Sequence, residues 1–252
     1  GSGCICINGA AAHLINKNDL VIIVAYCQLT AVEVEDHVPT IVHVNETNNI
    51  SIGGVDLSDL AETYGTPLYV YDQETIISTV KKFQQSFRSV IPKSVISYST
   101  KAFSNPYILN LLKENEMNID VVTGGELAVA KHVNFPPNKI NFHGNNKSKE
   151  ELIDAIQYGL ANITIDSFNE IENLKKITQN LSITQNVMIR VSPSTDPHTH
   201  RLTATGILDS KFGFSIETGD AEKAIKQLME IKTLNLKGLH FHLGSPLFEL
   251  EP

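Results

Sequence analysis

Val95-Ile96-Ser97-Tyr98-Ser99-Thr100-Lys101 is answered downstream by Asn118-Ile119-Asp120-Val121-Val122. Both are short apolar runs rich in β-branched residues, the composition of a strand. Each carries a group able to do chemistry near its end, Lys101 in one and Asp120 in the other. Comparable runs begin at residues 140, 162, 187 and 239, so that successive starts lie 23, 22, 22, 25 and 52 residues apart. Helical patterns fill the gaps. Three of them open with the spacing of a capping box, Thr123 with Glu126, Ser148 with Glu151 and Ser167 with Glu170. Leu152, Ile153 and Ile156 predict one apolar helix face, and Phe168, Ile171 and Leu174 another.

Strand and helix alternating at a steady pitch predict βα units and a parallel sheet. A barrel and a doubly wound sheet both satisfy that pattern, and the polar residues separate them. Lys101, Asp120, His143, Asp166, Arg190 and His242 each stand at or near the end of a predicted strand. Six strand ends meeting at one place is the barrel arrangement, in which the site lies at the carboxyl ends. A doubly wound sheet would show a glycine-rich first turn, and none is present. The expected fold is α/β, a partial (β/α)8 barrel over residues 51–252 with six strands and two open edges. Residues 1–50 form a separate β-rich segment, with strand candidates at 21–24 and 39–44 and a turn or linker region at 45–54.

The 252 residues carry 20 cationic and 28 acidic side chains, a net charge of −8, and no Lys/Arg-rich run. That balance argues against nucleic acid as a partner. The longest apolar stretch, residues 20–27, is too short to span a bilayer. Three cysteines, Cys4, Cys6 and Cys27, give no disulfide framework and suit a reducing, cytoplasmic compartment. Cys4 and Cys6 have no second ligand pair at zinc-like spacing, so no metal site is expected. The first residue is Gly1, and Gly1-Ser2-Gly3 reads as a fragment, a processed end or an appended scar.

Lys101 decides the chemistry. A lysine carried into a barrel mouth by an apolar strand is desolvated, loses its proton more easily and becomes a nucleophile towards aldehydes. Tyr98-Ser99-Thr100-Lys101-Ala102 resembles the cofactor-lysine motif of fold-type III pyridoxal-phosphate decarboxylases, the barrel family that includes alanine racemase. Asp120-Val121-Val122-Thr123-Gly124-Gly125-Glu126-Leu127 resembles their second motif. Phe142-His143-Gly144-Asn145-Asn146-Lys147, His198-Thr199-His200, Asp209-Ser210-Lys211-Phe212-Gly213 and His240-Phe241-His242-Leu243-Gly244-Ser245 resemble diaminopimelate decarboxylases in particular.

The resemblance covers residues 50–252 and implies pyridoxal 5'-phosphate as cofactor and an amino acid as substrate, meso-2,6-diaminopimelate being converted to L-lysine and CO2. It implies that Lys101 anchors the cofactor, His242 lies against its ring, Ser245 holds its phosphate and Arg190 approaches its ring hydroxyl. Asp120 and Glu126 would position lysine and ring. Read as residues alone, Asp120 and Glu126 cap a helix, His143 orders a loop, Tyr98 packs in the core and His240 points into the helix layer. Pro246 replaces the glutamine usual in relatives, and the family's later phosphate loop and ring-nitrogen glutamate are not among these residues. Little decarboxylase activity is therefore expected of this chain alone, and a homodimer is expected of the longer protein. Another basic amino-acid decarboxylase or racemase, a non-catalytic cofactor-binding fragment, and a fusion with aspartate decarboxylase that forms β-alanine through the amino-terminal segment are the other readings.

Residues 1–50 resemble a different enzyme, the carboxyl-terminal part of aspartate 1-decarboxylase, through Gly1-Ser2-Gly3-Cys4-Ile5-Cys6-Ile7-Asn8-Gly9-Ala10-Ala11-Ala12 and the run Asp19 to Tyr26. That family cleaves itself at a Gly-Ser bond, but Asn8-Gly9-Ala10 resembles a stretch well past the cleavage serine. Gly1-Ser2 is therefore read as ordinary.

Overall fold

The structure, a computed structural model, describes residues 50–193 and 212–243. The strand candidates at 21–24 and 39–44, the Cys4/Cys6 pair and Ser245 lie outside the described residues. Contacts divide the chain into two units, Gly1–Ile76 and Ile77–Pro252.

In the first unit, β1 (Ser51–Ile52) and β2 (Val55–Asp56) form an antiparallel hairpin. Gly53 and Gly54 make its two-residue loop with φ of +57° and +78°. A tight hairpin needs positive φ at both positions, which glycine adopts at no steric cost. The stretch read from sequence as a turn or linker region thus ends in a hairpin turn. Helix α1 (Leu57–Tyr64) follows at once, with the Asp56 side chain accepting from Ser58 N. Helix α2 (Gln73–Val90) begins where Asp72 accepts from Glu74 N.

The second unit is built on parallel strands. These are β3 (Ser97–Ser99), β4 (Asn118–Val121), β5 (Ile140–Phe142), β6 (Asn162–Ile165), β7 (Gln185–Ser192), β8 (Phe214–Ser215) and β9 (Leu234–His240). They join in the order β3-β4-β5-β6-β7, and β7 pairs further with both β8 and β9. The strands are separated by α3 (Pro106–Glu114), α4 (Gly124–His132), α5 (Lys149–Tyr158), α6 (Phe168–Leu181) and α7 (Asp220–Met229). Five strands sit where the apolar runs predict them and β9 begins five residues earlier than its run, while β8, two residues long, is an addition. Among the described residues, β3 and β9 are edge strands, as the count of six predicts.

Alternation along the strands sorts the side chains onto two faces. Ile119, Val121, Ile140, Phe142, Ile163, Ile165, Val187 and Ile189 are wholly buried, and so are Leu127, Ala130, Leu152, Ala155, Ile171 and Leu174 of the helices. Each fully buried large aliphatic of this kind contributes about 1.5–3 kcal/mol. On β4, β5 and β6 the intervening residues Asp120, Asn141 and Thr164 are polar, whereas Met188 on β7 is not. Asn141 Nδ2 donates to Asp120 Oδ1 at 3.0 Å, and Asn162 Nδ2 donates to Asn141 Oδ1 at 3.0 Å. These residues are register partners across β4, β5 and β6, so the ladder follows from the pairing.

The helix starts depart from the sequence reading. Ser148 and Glu151 make a complete capping box. Thr123 and Ser167 accept from the N–H of Glu126 and Glu170 as predicted, but those glutamates reach further back. Glu126 accepts from Val122 N at 3.0 Å and Glu170 from Asp166 N at 2.9 Å. A first-turn glutamate thereby holds the end of the preceding strand. Tyr98 is half-buried, with its hydroxyl donating to Phe103 O at 3.3 Å, so it is not a core residue.

Candidate active site at the carboxyl ends of the strands

Lys101 lies just past β3, in a turn closed by Ala102 N donating to Ser99 O at 3.1 Å. It is exposed, not desolvated as the apolar strand before it predicts, because the turn carries it beyond the sheet. Thr100 ties that turn to the neighbouring strand through its backbone N–H and its hydroxyl, both directed at Asp120 O. The same hydroxyl contacts Glu126 Oε2, which also accepts from Val122 N. One buried contact set therefore fixes the residue before Lys101 and the ends of both β3 and β4.

A cavity of about 240 Å³ opens beside Lys101, lined by Lys101, Val122, His143, Gly144, Asn145, Arg190, Phe212 and His242. Lys101 and His242 share this cavity, although they come from the first and last strands of the sheet. Arg190, on β7, is buried and places its guanidinium 4.4 Å from the centre of the Phe212 ring. Its Nε lies 3.8 Å from Asp166 Oδ1. Burial pulls the Arg190 pKa below its ordinary value, and the Asp166 charge opposes that shift. Burial likewise lowers His242, with Lys101 and Arg190 adding their charge.

Of the six strand-end groups named from the sequence, Lys101, His143, Arg190 and His242 line the cavity. Asp120 does not. It lies inside β4, one layer below, bonded to Asn141, and burial raises its pKa. Asp166 lies behind Arg190, and burial raises it as well. Glu126 acts on Thr100 and Val122 and does not line the cavity.

Two histidine expectations need correction. His143, read as a loop-ordering residue, lines the cavity, where burial, then the neighbouring His240 and nearby cations, push its pKa down to about 3. His240 does not point into the helix layer. Its ring stacks on that of His143 at 5.6 Å between centroids, and burial followed by the Arg190 charge pushes it down to about 4. Residues two apart on a strand share a face, so His240 belongs on the side of His242. A register shift in β9 opposite Val187 and Met188 sets the phase of that strand.

Lys147 is the residue whose placement the sequence left unread. Its side chain is wholly buried, 2.8 Å from Glu170 Oε1, and donates to Thr164 O at 2.8 Å and to Gly144 O. Its position at the end of the His143–Lys147 motif was the available signal.

Comparison with known proteins agrees with this geometry. Residues 74–252 match the family described as pyridoxal-dependent decarboxylase, pyridoxal binding domain, and residues 1–51 match aspartate decarboxylase. Diaminopimelate decarboxylase of Bacillus subtilis is 42% identical over 205 residues, which is 81% of this chain and 47% of that protein. The crystal structure of diaminopimelate decarboxylase from M. jannaschii in complex with L-lysine aligns with a TM-score of 0.73 and 37% identity, covering 80% of this chain and 48% of that one. The Helicobacter pylori enzyme, also complexed with L-lysine, aligns with a TM-score of 0.70 and 32% identity over 78% of this chain and 49% of that one. The chain spans about half the length of the curated relatives it matches. The architecture is that of a partial α/β barrel, and the chain belongs to the pyridoxal-dependent decarboxylases, through their pyridoxal-binding domain.

Proposed function

We propose that this chain holds pyridoxal 5'-phosphate on Lys101 and supplies the cofactor half of a diaminopimelate decarboxylase site, at which meso-2,6-diaminopimelate yields L-lysine and CO2. The carrying observation is the single cavity that brings Lys101, Arg190 and His242 together from three separate strands. The donor set fits the group. An amine nucleophile stands beside a buried guanidinium, an imidazole and an aromatic wall, and no carboxylate lines the cavity among the described residues. That environment favours an anionic, aldehyde-bearing aromatic ligand.

When bound, pyridoxal phosphate supplies an electron sink for the pair released as CO2 departs. The residues of the chain do the rest. Lys101 would hold the cofactor through its Nζ, with His242 and Arg190, which line the same cavity, as the imidazole and guanidinium that would position it. Glu126, through Thr100 and Val122, keeps the Lys101 turn in place, and Asp120 supports the layer below. Ser245, through the motif it belongs to, would hold the phosphate. The complete protein is a cytoplasmic homodimer whose partner closes the site. Among the described residues, no helix is long and apolar enough to cross a membrane.

Borohydride reduction in the presence of the cofactor, followed by peptide mapping, tests the anchor. A pyridoxyl group on Lys101 is expected, and a label on another lysine with Lys101 unmodified overturns the assignment.

A further inference from the structure

A circuit of buried charges begins and ends at the cavity. Lys147 donates to the carbonyl of Gly144, a cavity residue, and pairs with Glu170 at 2.8 Å. Glu170 accepts from Asp166 N at 2.9 Å. The two carboxylate oxygens of Asp166 then divide their work. Oδ1 lies 3.8 Å from Arg190 Nε, and Oδ2 accepts from Gly213 N at 3.1 Å. Gly213 follows Phe212, whose ring lies on the Arg190 guanidinium. The backbone passes Arg190 so closely there that a Cβ on Gly213 would come within 2.6 Å of Arg190 O. Asp166 thus sets its charge beside the arginine, without a hydrogen bond from Oδ1, and also ties down the segment that packs over it. Contact at Nε leaves the two terminal nitrogens of the guanidinium as donors for the cavity.

We propose that Asp166 is the positioning residue of Arg190, and that the buried Lys147–Glu170 pair holds Asp166 in its turn. Asp166 does not line the cavity, so it acts on the ligand only through Arg190 and the Phe212–Gly213 segment. The physical logic is that of an arginine with many rotamers committed to one by a buried counter-charge. The Nε–Oδ1 separation makes this a charge contact in a dry site, where screening is weak. This inference rests on the proposed cofactor role of the cavity.

The test is a double-mutant cycle on cofactor affinity in the complete protein, with Asp166→Asn and Arg190→Met alone and together. Asp166→Asn keeps the acceptor for Gly213 N and removes the charge. It is expected to weaken pyridoxal phosphate binding about tenfold when Arg190 is present and less than about twofold when it is Met, the mark of coupled neighbours. The pH profile of the bound cofactor's visible absorption is expected to shift alike in the two single variants. Equal losses in both arginine backgrounds overturn the proposal. Should Asp166→Asn fail to fold, the unmutated protein still decides. The Arg190 Nε–H resonance, assigned by its disappearance in Arg190→Lys, is expected to be sharp and slow to exchange with water. A signal averaged like that of a solvated arginine overturns the proposal. An unmutated protein that binds no cofactor overturns the functional reading instead, and so is distinguishable from a failure of the cycle.

Discussion

The imidazoles of His143 and His240 stack at 5.6 Å between centroids, inclined by 28°, on the inner face of the sheet beside the cavity. Burial is the leading cause that pushes them down to about 3 and about 4. An unfolded chain protonates both near 6.5, and the folded chain resists until far lower pH. Above that value both states are neutral and the pair adds no pH dependence. As pH falls below it, the unfolded state binds more protons and stability declines, by at most about 1.4 kcal/mol per pH unit for each ring. Asp120, Asp166 and Glu170, raised by burial, act in the opposite direction at lower pH. The difference between proteins is therefore the informative quantity. Thermal melts from pH 7 to 5 are expected to show a shallower fall for His143→Gln than for the unmutated chain. Equal slopes would mean that His143 is solvated.

Gly213 and Gly125 make a matched pair. Gly213 has φ of +73°, and its missing Cβ would meet Arg190 O at 2.6 Å. Gly125 sits in the first turn of α4, and its nearest atom would be the Thr123 hydroxyl at 3.7 Å. Gly213→Ala is expected to destabilise by about 1–3 kcal/mol and to weaken the cavity's ligand binding. Gly125→Ala is expected to be neutral or stabilising by up to about 1 kcal/mol, because alanine lowers the entropy cost of ordering a helix. Urea denaturation of both variants checks the contrast.

What the sequence made legible follows the physics of each signal. Strands β4 to β7 are apolar runs at a steady pitch whose alternate residues are buried, while β9 follows after a 52-residue gap and is largely unburied. Strand β8 is two residues long and leaves no period to read. Lys101, just past β3, is legible as a strand-end group. Arg190 and Asp120 both lie inside their strands, and only their level along the sheet decides that Arg190 reaches the cavity and Asp120 the ladder. The Asn141 and Asn162 ladder was illegible, since asparagine ordinarily marks turns and only pairing reveals its partner. Lys147 was passed over because lysine is almost never fully buried unless it is paired, and its counter-ion is 23 residues away.

Glu126 joins two strand ends, so its removal is expected to be felt at Lys101. Glu126→Ala strips the acceptor from Val122 N and leaves the Thr100 hydroxyl with Asp120 O alone. Leaving the Val122 donor unmet costs about 1–3 kcal/mol. Cofactor labelling of Lys101 is expected to slow, while Glu126→Gln, which keeps one acceptor oxygen, recovers part of both losses. Labelling at an unchanged rate in Glu126→Ala would separate this glutamate from the Lys101 turn.

The Lys147–Glu170 pair offers the sharpest stability test, because both side chains are buried and the partners are few. Lys147→Met leaves Glu170 charged with its counter-ion gone, in a site where burial already raises the carboxyl pKa. Breaking a buried pair from one side costs about 3–5 kcal/mol, chiefly through the stranded charge. Glu170→Gln alone strands Lys147 in the same way. The double variant Lys147→Met, Glu170→Gln strands neither, and glutamine keeps an acceptor for Asp166 N. It is expected to recover at least half of the larger single loss in urea denaturation, because hydrophobic packing often replaces a buried ion pair at little cost. The single Lys147→Met variant is also expected to lose less at acid pH than at neutral pH. Glu170 can take up a proton there, and its folded pKa, raised above the unfolded value, makes that uptake favour the folded state as pH falls. Losses that simply add, with no dependence on pH, would show that the two side chains are solvated and make no pair.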